Sequence, residues 1–528
     1  MILATPETQH DEAPHDAFDS PVHFDSRESA SHALIDGREL EEVLMGPQSG
    51  SARPIAVAAM LVAATALFGM GLAVTASATT PPRPSVSRLS VTLGPTTGGV
   101  ALTVFGANFR AVTRVYFGAT RIAKFAVHSP TSLTAVTPAH GAGTVDVRVV
   151  SRAGTSLTSN HDRFTFEPAA AEVSVGNDGG GTFYCAITKG AGIAECWGGN
   201  GAGELGIGIR GGGLIRVPRG VHNLGQGVQE IATGSDMTCA VTKSGGAKCW
   251  GWEFEGELGN GVANDNGYAD TPANVVGLTS GVRSIAVGND NGCALTNSGV
   301  VECWGNNLEK QLGTNASGTQ SSTPVVIAGL PSGIRSVAVG DGFACALTGP
   351  GAVMCWGWVL GNGSPEFTES PSPVSVTGLT SGAHSLSAGG IAACAVTSGG
   401  GAVCWGDDDN EQLGNASTTS FAATPVGVTG LGSGMARVAI GDSSACALTT
   451  RGAAKCWGYN YDGTLGDGNQ IDSRVPVNVR GLIKGATSVS VSTYTACAGM
   501  ALGTVECWGY VPVGAGISDV PVTLPWFG

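Results

Sequence analysis

Short segments in which apolar and polar residues alternate recur over most of the chain, and this two-residue period predicts β-strands. In the part of the chain between residues 80 and 168, turn residues such as Gly98-Gly99 separate the segments. The segments are 100–106, 114–118, 132–138, 144–150 and 163–168. This pattern predicts a small β-sandwich.

From about residue 169 the chain repeats one unit seven times. Each unit contains an apolar segment, a segment of the type Cys-Ala-Leu-Thr, a turn, a segment that ends Cys-Trp-Gly, a loop that often ends Leu-Gly, and a last segment opened by proline. Four strands in a repeating unit make one blade of a β-propeller. The pattern therefore predicts a seven-bladed β-propeller over 169–528, and an all-β fold class for the folded part of the chain.

The cysteines occur only in this repeat, as seven pairs with a spacing of eleven residues in the first unit and ten in the others. A glycine between the two cysteines favours a three-residue hairpin loop, which would place them opposite each other with α-carbons about 4.5 Å apart. Zinc sites space their cysteines more closely, so seven disulfides are favoured over a metal site. The predicted pairs are Cys185–Cys196, Cys239–Cys249, Cys293–Cys303, Cys345–Cys355, Cys394–Cys404, Cys446–Cys456 and Cys497–Cys507.

The N-terminal part of the chain has a different composition. Residues 1–53 hold eleven Asp or Glu and three Arg, which predicts a solvated acidic tail. Residues 55–78 carry no charge and are long enough to cross a bilayer as a helix. We expect one transmembrane helix or signal-anchor at 54–79, while Ala76-Ser77-Ala78 leaves open a signal peptide cleaved after Ala78.

The cysteines and the charge bear on compartment and partners. Disulfides need an oxidising compartment, which predicts that the C-terminal domains are extracellular, either membrane-anchored through residues 55–78 or secreted. The net charge is −14, of which residues 169–528 carry −12, whereas residues 80–168 carry +6. A large acidic body argues against binding of nucleic acid, since phosphate contacts need a basic face.

Two segments resemble known families. Gly94-Pro95-Thr96, Gly106-Ala107-Asn108-Phe109 and Phe164-Thr165-Phe166 resemble the immunoglobulin-like IPT/TIG domain, which implies such a domain at 80–168. The unit with Cys-Ala-Leu-Thr, Cys-Trp-Gly and Leu-Gly resembles the repeats of the regulator of chromosome condensation family. The second resemblance implies a seven-bladed propeller, and the family includes both a guanine-nucleotide exchange factor and a secreted inhibitor of β-lactamases.

The sequence departs from the exchange factor of that family. The family often has histidine shortly before the Ala-Leu segment, and none of the matching positions is histidine here. They are Met237, Asn291, Phe343, Ala392, Ser444 and Thr495. Exchange activity is therefore the least favoured function.

Catalytic chemistry is not readable in the sequence. We find no nucleophile and base set and no phosphate loop, so we expect no enzyme, no cofactor and no metal. The acidic segments 264–267 and 407–411 lack the spacing of an EF-hand and are interpreted as solvated loops. The tryptophan of each Cys-Trp-Gly is interpreted as packing against the next blade.

Aromatic residues outside the Cys-Trp-Gly positions are the candidate binding rim, because aromatic side chains contribute strongly to interfaces. They are Trp252, Phe254, Tyr268, Trp358, Phe367, Tyr459, Tyr461 and Tyr510. The predicted function is a monomeric, bacterial-type surface or secreted scaffold that captures a protein or glycan without catalysis. An inhibitor of an extracellular enzyme is the alternative, followed by a guanine-nucleotide exchange factor.

Overall fold

The computed structural model describes residues 81–528 except 97, 142, 168–169, 179–180, 263–266, 512–515, 525 and 528. All regular elements of these residues are β-strands, and they belong to one compact unit, Ala78–Gly528. The predicted acidic tail and apolar segment lie outside the described residues. Within the described part of the chain, no helix is long and apolar enough to cross a membrane.

The first ten strands form two sheets around one apolar core. The strands are β1 (Ser85–Leu89), β2 (Leu93–Pro95), β3 (Ala101–Ala107), β4 (Val112–Phe117), β5 (Thr120–Arg121), β6 (Phe125–Ser129), β7 (Ser132–Val136), β8 (Gly143–Ser151), β9 (Gly154–Thr155) and β10 (Arg163–Glu167). One sheet has the order β1-β3-β7-β6, and the other has the order β2-β10-β8-β4-β5 with β9 beside β8. Phe117 and Phe164, from the second sheet, meet edge to face in the core at 5.4 Å between ring centroids.

The other strands form seven four-stranded antiparallel sheets, which we number in chain order. Sheet 1 contains β11 (Ala170–Asp178), β12 (Gly181–Thr188), β13 (Ala194–Gly198) and β14 (Ile215–Gly220). Sheet 2 contains β15 (Val228–Thr233), β16 (Met237–Thr242), β17 (Ala247–Trp252) and β18 (Tyr268–Asn274). Sheet 3 contains β19 (Val282–Val287), β20 (Asn291–Thr296), β21 (Val301–Asn306) and β22 (Gln320–Val326).

Sheets 4 to 7 follow the same order. They contain β23 (Ile334–Val339), β24 (Phe343–Thr348), β25 (Val353–Gly357) and β26 (Ser370–Ser375); β27 (Ser385–Gly389), β28 (Ala392–Val396), β29 (Ala402–Asp407) and β30 (Phe421–Gly427); β31 (Met435–Ile440), β32 (Ser444–Thr449), β33 (Ala454–Gly458) and β34 (Ser473–Asn478); and β35 (Ala486–Val491), β36 (Thr495–Met500), β37 (Val505–Tyr510) and β38 (Ile517–Thr523).

The first strand of each sheet lies innermost. Each first strand contacts the first strand of the next sheet, and β35 of sheet 7 contacts β11 of sheet 1. The seven first strands therefore surround a common axis. The second strands are buried over most of their length, as in β20, whereas the outermost strand β22 is partly exposed, because neighbouring sheets cover both faces of the inner strands.

All fourteen cysteines are paired in seven disulfides, each between the second and third strands of one sheet. In sheet 3, Cys293 lies opposite Cys303 in the strand register, with α-carbons 4.1 Å apart. The hairpin between them contains Gly299 at a φ of +83°. A left-handed backbone at this place suits glycine, and it explains the glycine that recurs between the cysteines.

The tryptophan of each Cys-Trp-Gly is fully buried, but it packs against the preceding sheet and not against the next one. Trp250 of sheet 2 donates its indole N–H to the backbone carbonyl of Glu204 in sheet 1, at 2.8 Å. A methyl group on Gly206 would lie 2.6 Å from the same indole nitrogen. The expected direction was wrong because a Leu-Gly loop reaches over the third strand of the sheet that follows, as Gly206 of sheet 1 does at Trp250 of sheet 2.

Sheets 1 and 7 meet without sharing a strand, and the backbone N–H of Ala170 donates to the carbonyl of Gly503 at 2.8 Å. Trp197 of sheet 1 stacks on Tyr184 and contacts Phe527 near the C-terminus, at 5.4 Å between centroids in each case. The hydroxyl of Tyr184 donates to the carbonyl of Tyr510 in sheet 7. Burial raises the pKa of Tyr184, so this hydroxyl keeps its proton. Aromatic packing therefore closes the ring of sheets.

Candidate functional site

The ring of sheets has two faces with different connections. Because neighbouring strands are antiparallel, the turns from first to second strand and the loops from third to fourth strand emerge on one side, the turn face. Its described residues are 199–214, 234–236, 253–262, 267, 288–290, 307–319, 340–342, 358–369, 390–391, 408–420, 441–443, 459–472, 492–494, 511 and 516.

The opposite side is the hairpin face. It carries the hairpins between second and third strands and the links from each sheet to the next. Its described residues are 189–193, 221–227, 243–246, 275–281, 297–300, 327–333, 349–352, 376–384, 397–401, 428–434, 450–453, 479–485 and 501–504.

Charge is segregated between the two faces. The described turn face has seventeen carboxylates against two cations, Arg210 and Lys310. The carboxylates are Glu204, Asp236, Glu253, Glu255, Glu257, Asp290, Glu309, Asp341, Glu366, Glu369, Asp408, Asp409, Glu411, Asp442, Asp462, Asp467 and Asp472. The described hairpin face has no carboxylate and five exposed cations, which are Lys189, Lys243, Arg451, Arg480 and Lys484.

Several of the turn-face carboxylates lie close enough to repel one another. The pKa of Asp341 is raised to about 6, first by burial and then by the carboxylates of Asp290, Asp442 and Glu309. Burial also raises the pKa of Asp290, with further contributions from Glu255 and other carboxylates. Like charges that raise each other's pKa form a field that attracts cations.

Other carboxylates of this face stabilise their own loops. The buried Glu257 accepts the backbone N–H of Glu255 at 2.8 Å, and burial raises its pKa to about 7. Asp408 accepts the N–H of Leu413 at 2.9 Å, and burial raises its pKa to about 6. These residues shape the loops and are not available to a partner.

The acidic segment 407–411 is also engaged within the chain. Glu411 forms an ion pair with Arg474 at 2.8 Å, and the side chain of Gln412 donates to Asp407. Across the described ranges, no group of three or more His, Cys, Asp or Glu side chains could hold a metal ion. Residues 264–266 of the other acidic segment lie outside those ranges.

The candidate rim residues form three local clusters near the turn face. In sheet 2, Trp252 contacts Tyr268 edge to face at 5.1 Å, and Phe254 lies 6.2 Å from Trp252. The guanidinium of Arg210 lies 4.0 Å from the centre of the Tyr268 ring, a cation–π contact that the sequence did not reveal. Phe254 and Tyr268 remain exposed.

The other clusters lie in sheets 4 and 6. Trp358 and Phe367 meet edge to face at 5.4 Å, and the rings of Tyr459 and Tyr461 are 6.5 Å apart. Phe367 is 60% exposed and Tyr461 is 69% exposed. Tyr510 is not in these clusters.

Tyr510 lines a separate pocket together with Tyr494 of the same sheet, Asp462 of sheet 6 and Gly181 of sheet 1. Tyr494, in the first turn of sheet 7, is exposed, and sequence reasoning missed it. The residues on either side of it, Thr493 and Thr495, gave no sign of a binding site. The only signal in the sequence was its place in the turn between first and second strands, which recurs in every unit.

Comparison with known families identifies both parts of the chain. Residues 84–166 match the IPT/TIG domain. Residues 282–311, 298–347 and 436–464 match the regulator of chromosome condensation (RCC1) repeat.

Curated relatives match parts of the chain. The RCC1 domain-containing protein RUG3, mitochondrial, of Arabidopsis thaliana is 35% identical over 34% of this chain and 40% of its own length. The E3 ubiquitin-protein ligase HERC2 of Homo sapiens is 30% identical over 53% of this chain and 6% of its own length. The chain thus spans less than half of these relatives.

Solved structures show the same fold at low identity. Human WBSCR16 aligns with a TM-score of 0.55 and 20% identity over 63% of this chain and 93% of its own. Prp20p of Saccharomyces cerevisiae aligns with a TM-score of 0.56 and 19% identity over 68% of this chain and 87% of its own. The protein therefore carries an IPT/TIG domain followed by a propeller-like array of repeats of the RCC1 family.

Proposed function

We propose that the protein is an extracellular binding scaffold in which the seven sheets are the blades of a propeller that captures a protein partner on its turn face. Cyclic contacts between the first strands support seven blades. The segregation of charge between the two faces is the observation that carries the choice of face. Repeat folds of this kind present broad surfaces and bind without catalytic groups.

The partner is a protein surface rich in lysine and arginine. Carboxylates such as Asp290, Asp341 and Asp442 attract cations, and like-charge repulsion rejects acidic partners. Exposed rings such as Phe367 and Tyr461 offer aromatic anchors, which dominate many interfaces. Arginine on the partner can stack on these rings as Arg210 does on Tyr268.

The scaffold works outside the cytoplasm, anchored by residues 55–78 or secreted after cleavage at Ala78. Seven disulfides support this location, since they persist in oxidising compartments. The sandwich at 80–168 acts as a stalk. Intact mass of protein from its native host, alkylated without reductant, tests the location: no added alkyl group is expected, and fourteen would contradict it.

Site-specific photo-crosslinking of the full chain in its native host tests the binding face. Benzoylphenylalanine replaces Phe254, Phe367 or Tyr461 on the turn side, or Ile483 or Leu502 on the hairpin face as matched exposed controls. We expect one crosslinked protein product from the turn-side positions, reduced by high salt, and none from the controls. A product only from the hairpin positions, or a glycan product, would overturn the assignment.

An inhibitor of an extracellular enzyme is a special case of this function. It needs the same turn face but a partner that loses activity on mixing. The identity of the crosslinked partner separates the two, because its activity is measurable with and without the purified full chain.

A further inference from the structure

On the turn face, closely packed turns narrow the space around the axis of the ring. A methyl group on Gly288 would lie 2.5 Å from the carbonyl oxygen of Gly340, and one on Gly340 would lie 2.8 Å from that of Gly390. The same approach recurs around the ring from Gly176 to Gly441. These turns leave a cavity of only about 80 Å³ between them.

A ring of polar side chains lies deeper along the axis. In every sheet one polar residue of the first strand pairs with the residue two positions after the first cysteine, so the seven residues share one level. They are Glu172, Glu230, Ser284, Ser336, Ser385, Arg437 and Ser488. Each lies four residues before the narrow turn, or about 13 Å along a strand.

Part of this polar ring has a structural role. The inner edge of each first strand has N–H groups without a partner in their own sheet, and such groups need one. Ser385 of sheet 5 accepts the N–H of Val438 in sheet 6 at 3.4 Å. Glu230 of sheet 2 accepts the N–H of Ile285 in sheet 3. Side chains of one sheet thus accept hydrogen bonds from backbone N–H groups of the next sheet.

Glu172 and Arg437 differ from this pattern. Their side chains make no hydrogen bond or ion pair within the described residues, although Arg437 acts on Glu172 electrostatically. Both line a cavity of about 350 Å³ together with Ser385 and Ser488. Burial raises the pKa of Glu172 to about 7, and the charge of Arg437 opposes that rise.

The cavity therefore offers an anion from sheet 1 and a cation from sheet 6, with Ser488 of the intervening sheet 7 also in its lining. Its volume falls in the range of small-molecule sites. Ser488 adds an oxygen without a hydrogen-bond partner among the described residues. We propose that this axial cavity binds a small zwitterion, with Glu172 holding its ammonium group and Arg437 its carboxylate.

Isothermal titration of the full chain tests the site with an amino-acid series of increasing charge separation: glycine, 3-aminopropanoate, 4-aminobutanoate and 5-aminopentanoate. At least one member is expected to bind with a Kd below about 1 mM. Propylamine and propanoate, which carry one charge each, are expected to bind at least about tenfold more weakly, because each loses one charge-assisted hydrogen bond.

Variants assign the binding to this site. Glu172→Gln and Arg437→Gln are each expected to weaken the zwitterion at least about tenfold. Glu302→Gln on β21 and Arg219→Gln on β14 are matched controls away from the axis and are expected to bind normally. Circular dichroism checks folding. The proposal is wrong if no amino acid of the series binds at a concentration of about 10 mM, which is tenfold above the expected upper limit of the Kd. It is also wrong if both axial variants bind the series like the controls.

Discussion

A methyl group placed on the α-carbon of Gly234 would lie 1.9 Å from the carbonyl oxygen of Gly288 in the neighbouring sheet. No side chain fits into that distance. Gly234 and Gly288 hold the same place in sheets 2 and 3, directly after the first strand. The glycine that recurs at this place in sheets 1 to 6 is therefore a packing requirement between sheets and not a turn preference alone.

Gly234→Ala is expected to lower the free energy of unfolding by about 1–3 kcal/mol, because the first strands of sheets 2 and 3 must move apart. Thermal or denaturant unfolding measures this. Gly427→Ala is the matched control, since nothing lies within 4 Å of a methyl group there. Equal loss in both variants would mean that the close approach does not matter.

The C-terminal aromatic packing predicts a second effect. Phe527 is fully buried against Trp197, so Phe527→Ala is expected to cost about 3–5 kcal/mol. Hydrogen exchange should rise first in sheets 1 and 7, where the ring closes. Phe254→Ala removes an exposed ring and serves as the control. Unchanged exchange in those two sheets would contradict closure by aromatic packing.

Each disulfide bridges a hairpin of about ten residues, and the chain-entropy model assigns such a loop about 2–3 kcal/mol. Replacing Cys293 and Cys303 together by alanine is expected to lower the unfolding free energy by about that amount. Denaturant unfolding without reductant measures the loss. A wild-type protein that loses no stability in reductant would show that the bridges are dispensable.

Stability is expected to fall as the pH rises from about 5 to above 8. Burial raises the pKa of Glu172 to about 7. The pKa of Glu230 is raised to about 8, first by burial and then by the carboxylate of Glu172. The folded chain binds protons that the unfolded chain has released, so ionisation above the unfolded pKa destabilises the fold. Arg437 faces Glu172 and Arg283 faces Glu230, and both oppose this shift.

The melting temperature, measured as a function of pH, checks the predicted fall in stability with rising pH. Glu230→Gln should flatten the fall between pH 5 and 8, as a neutral side chain does not ionise there. The outer-strand variant Glu302→Gln should leave most of the slope in place. A melting temperature that rises over this range would contradict the environment assigned to Glu172 and Glu230.

The repeat carried the information that predicts the strands. Cys293 and Cys303 fix a hairpin register through their spacing, and the proline, tryptophan and Leu-Gly positions order the strands around it. In the two sheets that precede the repeat, the predicted segments overlap β3, β4, β7, β8 and β10. Short strands such as β5 and β9 were missed because two residues show no period.

Contacts between sheets could not be predicted from the sequence repeat in the way that the strands could. Glu172 and Arg437 look like isolated charges in apolar segments, and they share one level only after the register of separate sheets is known. Trp250 was expected to pack in the wrong direction for the same reason. Aromatic residues such as Trp252 and Tyr268 lie sixteen residues apart and meet because they are register partners of the paired strands β17 and β18.

Neutralising the charges of one face at a time tests the central claim most directly. The turn-face variant combines Asp290→Asn, Glu309→Gln, Asp341→Asn and Asp442→Asn. The matched hairpin-face variant combines Lys189→Gln, Lys243→Gln, Arg451→Gln and Lys484→Gln.

The measurement is the yield of crosslinked partner from benzoylphenylalanine at Tyr461 in the native host. The account predicts at least about a tenfold loss of yield in the turn-face variant, because neutralised carboxylates no longer attract a basic partner, and full yield in the hairpin-face variant. Full yield in the turn-face variant, with loss in the hairpin-face variant, would contradict the account.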